Sequence, residues 1–310
     1  MSEPVPPTPP GRLPERPRRV ALPFVRPLLP DNLFGHLAAT GVPGVEEWHE
    51  GAFRRTVALP SGPGILALRP PPSGADEVPA ELWLSDDADE PAAVALARRL
   101  LDLDADSGAV DGHLASDPAL APLVRSAPGR RVPGAVDAAE ITVRAVLGQQ
   151  VSTAAARTHA ARLVAAHGRR IVDPAGNLAA LFPDPSALAD LDEEALALPR
   201  SRRRTLVGVV RALGDGTLDL RGEPAQVRHA LLALPGVGPW TADTVLMRAL
   251  GDPDAFLAGD LGIRAAAERL GLPAAPRALE AESRRWSPYR AYAVQHLWAT
   301  LEHAVNRLPD

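Results

Sequence analysis

The residue types available for chemistry are restricted: the 310-residue chain contains no cysteine and no lysine, and all 33 of its basic residues are arginine. That excludes disulfides, thiolate nucleophiles and cysteine-ligated zinc or iron-sulfur clusters. It also excludes a lysine Schiff base and a Walker-type phosphate lysine. A nucleophile or general base must come from Asp, Glu, His, Ser, Thr or Tyr.

The most informative spacing lies in residues 227–250, VRHALLALPGVGPWTADTVLMRAL. Val227, Leu231 and Leu232 give a first helix its apolar face, Leu234-Pro235-Gly236-Val237-Gly238 forms a turn, and Thr241 to Leu250 a second helix. Gly236 and Gly238 permit close backbone approach that a Cβ would obstruct. Pro239 suits a helix's first turn, where its missing N–H costs nothing. Free N–H groups at a helix start bind anions, and a DNA phosphate is the natural candidate because it requires position and no particular sequence. The alternative is a plain helical hairpin whose glycines only close a loop. The loop Gly251-Asp252-Pro253-Asp254-Ala255-Phe256-Leu257-Ala258-Gly259 then leads to Asp260, which opens a helix over Leu261 to Leu270. Alone, Asp260 reads as an N-cap, and Asp252 and Asp254 read as solvated turn residues.

These residues need a scaffold. Hydrophobic residues make up 46% and charged residues 23%, the balance of a folded globular chain rather than a disordered one. There is no transmembrane-length apolar run and no signal-peptide core, so the expected location is the cytoplasm. The first 19 residues hold seven prolines and no apolar period, which predicts a disordered leader over 1–19. Strand-like runs at 53–59, 64–70 and 80–85 and a helix over about 91–101 predict a mixed domain over 20–115 containing a small antiparallel sheet. After Gly134 only helical periodicity is read, at 137–147, 152–167, 186–190, 193–197, 201–213, 224–233, 241–250, 261–270, 276–285 and 288–305. The class is α+β, a small antiparallel β-sheet domain followed by a larger helical region over 116–310.

The net charge of −5 hides an asymmetry. Residues 1–130 carry 12 Arg against 18 acids, and 131–310 carry 21 against 20. Arg200, Arg202, Arg203, Arg204 and Arg211 form the densest basic cluster, either a solvated helix face or a phosphate site.

The full string Leu-Pro-Gly-Val-Gly-Pro-Trp-Thr-Ala at 234–242 resembles the helix-hairpin-helix of a DNA glycosylase superfamily. Three further segments resemble its AlkA-type 3-methyladenine DNA glycosylase II branch: 132–137 (VPGAVD), 145–152 (AVLGQQVS) and 286–298 (WSPYRAYAVQHLW). The likeness runs in order from about Ala21 to Leu308. It implies that Asp260 is the catalytic carboxylate, that Trp240 and Trp298 line the pocket for a flipped base, and that Gln149 and Gln150 form the wedge entering the duplex. It implies phosphate contacts at Gly236, Gly238 and Thr241; Arg264 either joins them or balances its helix. Trp286 reads as core, and Tyr292 and His296 as either core or pocket. Two positions depart from the family pattern: Gln150 stands where Leu is familiar, and Thr244 where Tyr is.

The function implied is monofunctional excision of alkylated bases, 3-methyladenine and relatives, in base excision repair. The implied partner is double-stranded DNA carrying such bases, met by a monomer in a bacterial cytoplasm at the nucleoid. No cofactor is required and no metal is held by side chains, although hairpin carbonyls hold a monovalent cation in the family. A non-catalytic DNA-structure binder using the hairpin alone is the competing class, and Asp260 argues against it. A lyase-active glycosylase is disfavoured by the missing lysine.

Overall fold

In the computed structural model, residues 11–189, 191 and 198–309 are described. An antiparallel sheet of five strands leads the chain, with β2 (Arg18–Pro23), β3 (Glu46–His49), β4 (Ala52–Leu59), β5 (Gly62–Leu68) and β6 (Glu77–Leu84) in the order β2-β6-β5-β4-β3. Alternation along the strands sends side chains to opposite faces. Phe53, Leu66, Leu68 and Leu82 pack on one face, toward α1 (Pro30–Thr40) and α2 (Glu90–Leu100). Ile65, Ala67 and Trp83 occupy the other face and meet Leu13, Ile171, Leu178 and Leu181. Both faces of the central strands β4 and β5 are covered.

The chain crosses between cores after Leu103. Leu100, Leu101 and Leu103 belong to the sheet core, whereas Val110 and Leu114 of α3 (Ser107–Leu114) and Val124 of α4 (Ala121–Ser126) pack into the helical core. The helical region continues with α5 (Ala138–Leu147), α6 (Thr153–His167), α7 (Arg200–Gly214), α8 (Pro224–Ala233), α9 (Pro239–Val245), a π-helical turn Leu246–Leu250, α10 (Leu261–Arg269), α11 (Pro276–Ser283) and α12 (Arg290–Ala299). Helix α5 is central, burying Ile141, Val143, Val146 and Leu147.

A buried charge network joins sheet to helices. Arg55 of β4 donates to Glu46 of β3 and to Glu140 of α5, both at 2.8 Å, and Arg144 of α5 donates to the same two carboxylates at 2.9 and 2.8 Å. Such pairs are costly to form from water but orient rigidly once made.

The structure corrects several expectations. The leader is not disordered through residue 19: Gly11–Arg12 form β1, Leu13 is buried, and β2 starts at Arg18. Residues 1–10 lie outside the described residues. Strand β1 pairs in parallel with β7 (Ile171–Val172), so the region after Gly134 is not purely helical. Residues 185–189 form turns rather than a helix, and 193–197 lie outside the described residues. The last long helix spans 290–299 instead of 288–305. Among the described residues no helix is long and apolar enough to cross a membrane.

Candidate active site

Asp260 caps α10: its Oδ1 accepts from the Ile263 backbone N–H at 2.9 Å, as an N-cap side chain should. Two more donors converge on it. The Trp298 indole N–H gives a 3.0 Å bond to Oδ1, and that of Trp240 a 2.9 Å bond to Oδ2. A carboxylate offers about four acceptor sites, so roughly one is left, on Oδ2. The two tryptophans, expected as pocket walls, therefore also aim the carboxylate. A Cβ on Gly262 would lie 3.1 Å from Asp260 Oδ1 and 3.4 Å from the Trp298 ring, so this glycine is tight against the group it follows.

Asp260, Trp240 and Trp298 line a cavity of about 850 Å³. Trp240, Thr244 and Arg248 lie four residues apart along α9 and its π turn and all reach it. The far wall comes from the N-terminal domain and the C-terminal segment, with His36 and Thr40 of α1 and His303 among the lining. Burial lowers His36 well below the usual imidazole range, and the positive charges of Arg248 and Arg144 and the neighbouring His303 lower it further, so it is neutral. Burial likewise pulls Arg248 down to about 9, with Arg144 adding repulsion.

The hairpin turn is shaped by two different needs. Gly236 has φ +85°, and a Cβ there would lie 1.9 Å from Thr205 Oγ1, so packing on α7 forbids a side chain. At Gly238 a Cβ would meet nothing within 4 Å, so the fold leaves that side open to an approaching ligand. No side chain caps α9, and Ala242 is the first residue whose N–H bonds back, to the Gly238 carbonyl at 3.0 Å. Replacing Gly238 by Val should therefore leave folding nearly unchanged while raising the Kd for DNA of any sequence about tenfold, with a shallower salt slope. Equilibrium binding to unrelated duplexes at several salt concentrations checks this; loss confined to one sequence would contradict it.

The loop after α5 behaves differently from its expectation as a paired wedge. Gln149 is tied inward: its amide donates to the Gly236 carbonyl at 3.1 Å and to Thr241 Oγ1 at 3.0 Å. The Thr241 hydroxyl is thus buried and engaged with Gln149 rather than open to a phosphate. Gln150 alone is exposed, at φ +54°, a left-handed conformation uncommon for Gln. Arg264 gives its Nε to the Ala274 carbonyl at 2.9 Å, so the structural reading of Arg264 is the one with an observed partner.

Trp286 is fully buried, its N–H donating to Asp117 at 2.9 Å. Tyr292 donates to Asp102 at 3.0 Å, and His296 is buried and pulled down to about 3 by that burial and by Arg130, so both are core groups. In the basic cluster Arg202 is buried within α7. The reading of the sequence missed His36 and Arg248. Arg248 had a signal, its helical spacing from Trp240, whereas His36 had none because it arrives from another domain.

An antiparallel sheet domain thus leads a helical region in which a Gly-rich hairpin adjoins a capped aspartate on a cavity wall. A family model for the AlkA N-terminal domain matches residues 19–137, and one for the HhH-GPD superfamily base excision DNA repair protein matches 143–291. The chain is 33% identical over 275 residues to Escherichia coli DNA-3-methyladenine glycosylase 2, covering 86% of this chain and 92% of that one. It is 54% identical over 290 residues to a "Probable bifunctional transcriptional activator/DNA repair enzyme AlkA" of Mycobacterium tuberculosis, covering 93% of this chain and 58% of that protein. The chain thus spans little more than half the length of that relative. A 3-methyladenine DNA-glycosylase of Archaeoglobus fulgidus superposes with a TM-score of 0.77 at 20% identity, over 91% of this chain and 97% of that one, a likeness of fold. The chain belongs to the AlkA family of helix-hairpin-helix base-excision repair proteins.

Proposed function

We propose that the protein excises alkylated bases from double-stranded DNA by hydrolysing the glycosidic bond of a flipped nucleotide. The observation that carries this is Asp260, held by two indole N–H groups and a backbone N–H at the wall of a cavity large enough for a base. A module that only binds DNA has no use for a carboxylate positioned this way.

The hairpin's open side at Gly238 receives the phosphate backbone, and Gln150 enters the gap left by the extruded nucleotide. The base enters the cavity and meets the tryptophans. The remaining acceptor site on Asp260 Oδ2 faces the sugar, where it stabilises positive charge as the base departs and orients the attacking water. Ring alkylation already weakens that bond, so the demand on the protein is mainly positioning. The Leu234 and Gly236 carbonyls each accept one hydrogen bond, leaving a lone pair that fits a monovalent cation; such an ion would add positive charge toward the phosphate. Incubating the purified protein with methylated DNA and identifying the free bases tests the reading, and release of none would overturn it.

The reaction ends at an intact abasic site. Strand cleavage by this superfamily's lyases needs an amine to form a Schiff base, and the chain has no lysine at any position. Borohydride treatment during turnover should trap no protein-DNA adduct, and strands should break only after alkali. A stable adduct would sink the hydrolytic mechanism.

A further inference from the structure

The cavity beside Asp260 is larger than a methylated base requires. Its volume of about 850 Å³ lies toward the top of the range of about 300 to 1,000 Å³ that houses drug-sized ligands. Along α9 and its π turn, the side chains that reach the cavity run long, short, long: Trp240, Thr244, Arg248. Successive members of such a row stand about 6 Å apart along the helix. Thr244 therefore leaves a notch one turn beyond the indole that holds Asp260.

The notch is built for volume rather than for polar recognition. Thr244 is half-buried, and its hydroxyl donates to the Trp240 carbonyl at 2.7 Å. With that proton committed to the helix backbone, the hydroxyl has none to give a base. The wall contributed by α5 and α6 is aliphatic at Ile141 and Ala145 of the first helix and at Ala156 and Ala160 of the second. Space of this kind favours an apolar group, because the gain on leaving water grows with the apolar area buried.

We propose that the notch at Thr244 receives the substituent of an alkylated purine and sets how large that substituent can be, so that bases bearing bulky apolar alkyl groups are substrates alongside methylated ones. The inference rests on the base-excision reading and deepens it by naming the residue that admits the larger group.

Methylated DNA and benzylated DNA test it, since the two treatments place substituents of different size on the same ring nitrogens and leave both rings cationic. The 3-alkyladenine and 7-alkylguanine set free are quantified by chromatography as initial rates per adduct present. The wild type is compared with Thr244→Tyr and Thr244→Leu, which fill the notch to different extents, and with Thr244→Val, which keeps the shape and removes the hydroxyl. Comparing the benzyl-to-methyl ratio between proteins cancels the intrinsic lability of each bond. For at least one of the two bases that ratio is expected to fall about tenfold or more in the Tyr variant, and by less in the Leu variant, because overfilling a packed site excludes the larger group first. The Val variant should keep the wild-type ratio. The Leu variant decides the matter should the Tyr variant melt early. Ratios unchanged for both bases in folded Tyr and Leu variants overturn the proposal. A Val variant whose ratio falls as far as that of the Tyr variant overturns it too, because the hydroxyl and not the space would then be at work. Wild-type protein that releases methylated bases but no benzylated ones also overturns it, whereas release of neither defeats the base-excision reading itself.

Discussion

Replacing Asp260 by Asn is expected to lower base release at least about 100-fold in single-turnover assays, in the range seen when one electrostatic contact to a developing charge is lost. Asn retains the amide oxygen that accepts from Ile263, so α10 stays capped. It loses the charge. It also turns an N–H₂ toward one of two indole donors, because one oxygen cannot serve both Trp240 and Trp298 in place of a carboxylate. Binding to a duplex with an abasic analogue should stay within a few-fold of wild type, since the hairpin turn and the exposed Gln150 are untouched. Wild-type excision by the Asn variant would reduce Asp260 to a cap.

Glu46→Ala is expected to be the most destabilising single change, by about 3 to 5 kcal/mol, the usual range when one partner leaves a buried ion pair. Glu46 is buried and serves Arg55, Arg144 and the Val42 backbone N–H, so its removal leaves two guanidinium groups sharing one carboxylate. Thermal melts should drop by roughly 10 °C. Arg144 also lines the cavity, so activity should fall well below the melting point. The same network sets an acid limit. Burial alone would raise the Glu140 carboxyl, but Arg55 and Arg144 outweigh it and hold it below the ordinary range. A carboxyl depressed in the folded state contributes stability that is present above its unfolded pKa and lost as pH falls through the folded value. Wild-type stability should therefore decline below the ordinary carboxylate range, at about pH 4, and chemical denaturation across pH 3 to 7 measures it. An unchanged melt for Glu46→Ala would show that the network carries no weight at the interface.

Local chemistry was legible wherever a residue's neighbours in sequence are also its neighbours in space. The run from Val227 to Leu250 gives hairpin geometry from its own spacing, and the structure places α8 and α9 around the same turn. The strands at 53–59 and 64–70 stood out through β-branched and aliphatic content between turn signals, and β4 and β5 overlap them. Strand β2 was hidden inside a Pro-rich stretch, because its stability comes from pairing with β6 some 60 residues away. No local pattern encodes that partner.

The sequence by itself determined the chemical repertoire: without lysine or cysteine, a carboxylate is the strongest candidate at the hairpin, and its place at a helix start follows from the residues around Asp260. Tertiary structure alone decided what surrounds that carboxylate. The indoles of Trp240 and Trp298 come from two helices nearly 60 residues apart and meet on one aspartate. Gln149 is bonded to a hairpin turn 87 residues further along, while Gln150 stands exposed in a left-handed conformation. His36 reaches Arg248 across 212 residues and a domain boundary. Contacts of that range arise only when burial of both faces of the sheet and of α5 brings the two domains together, because hydrophobic burial is non-directional and its partners are chosen by the packing of the whole chain.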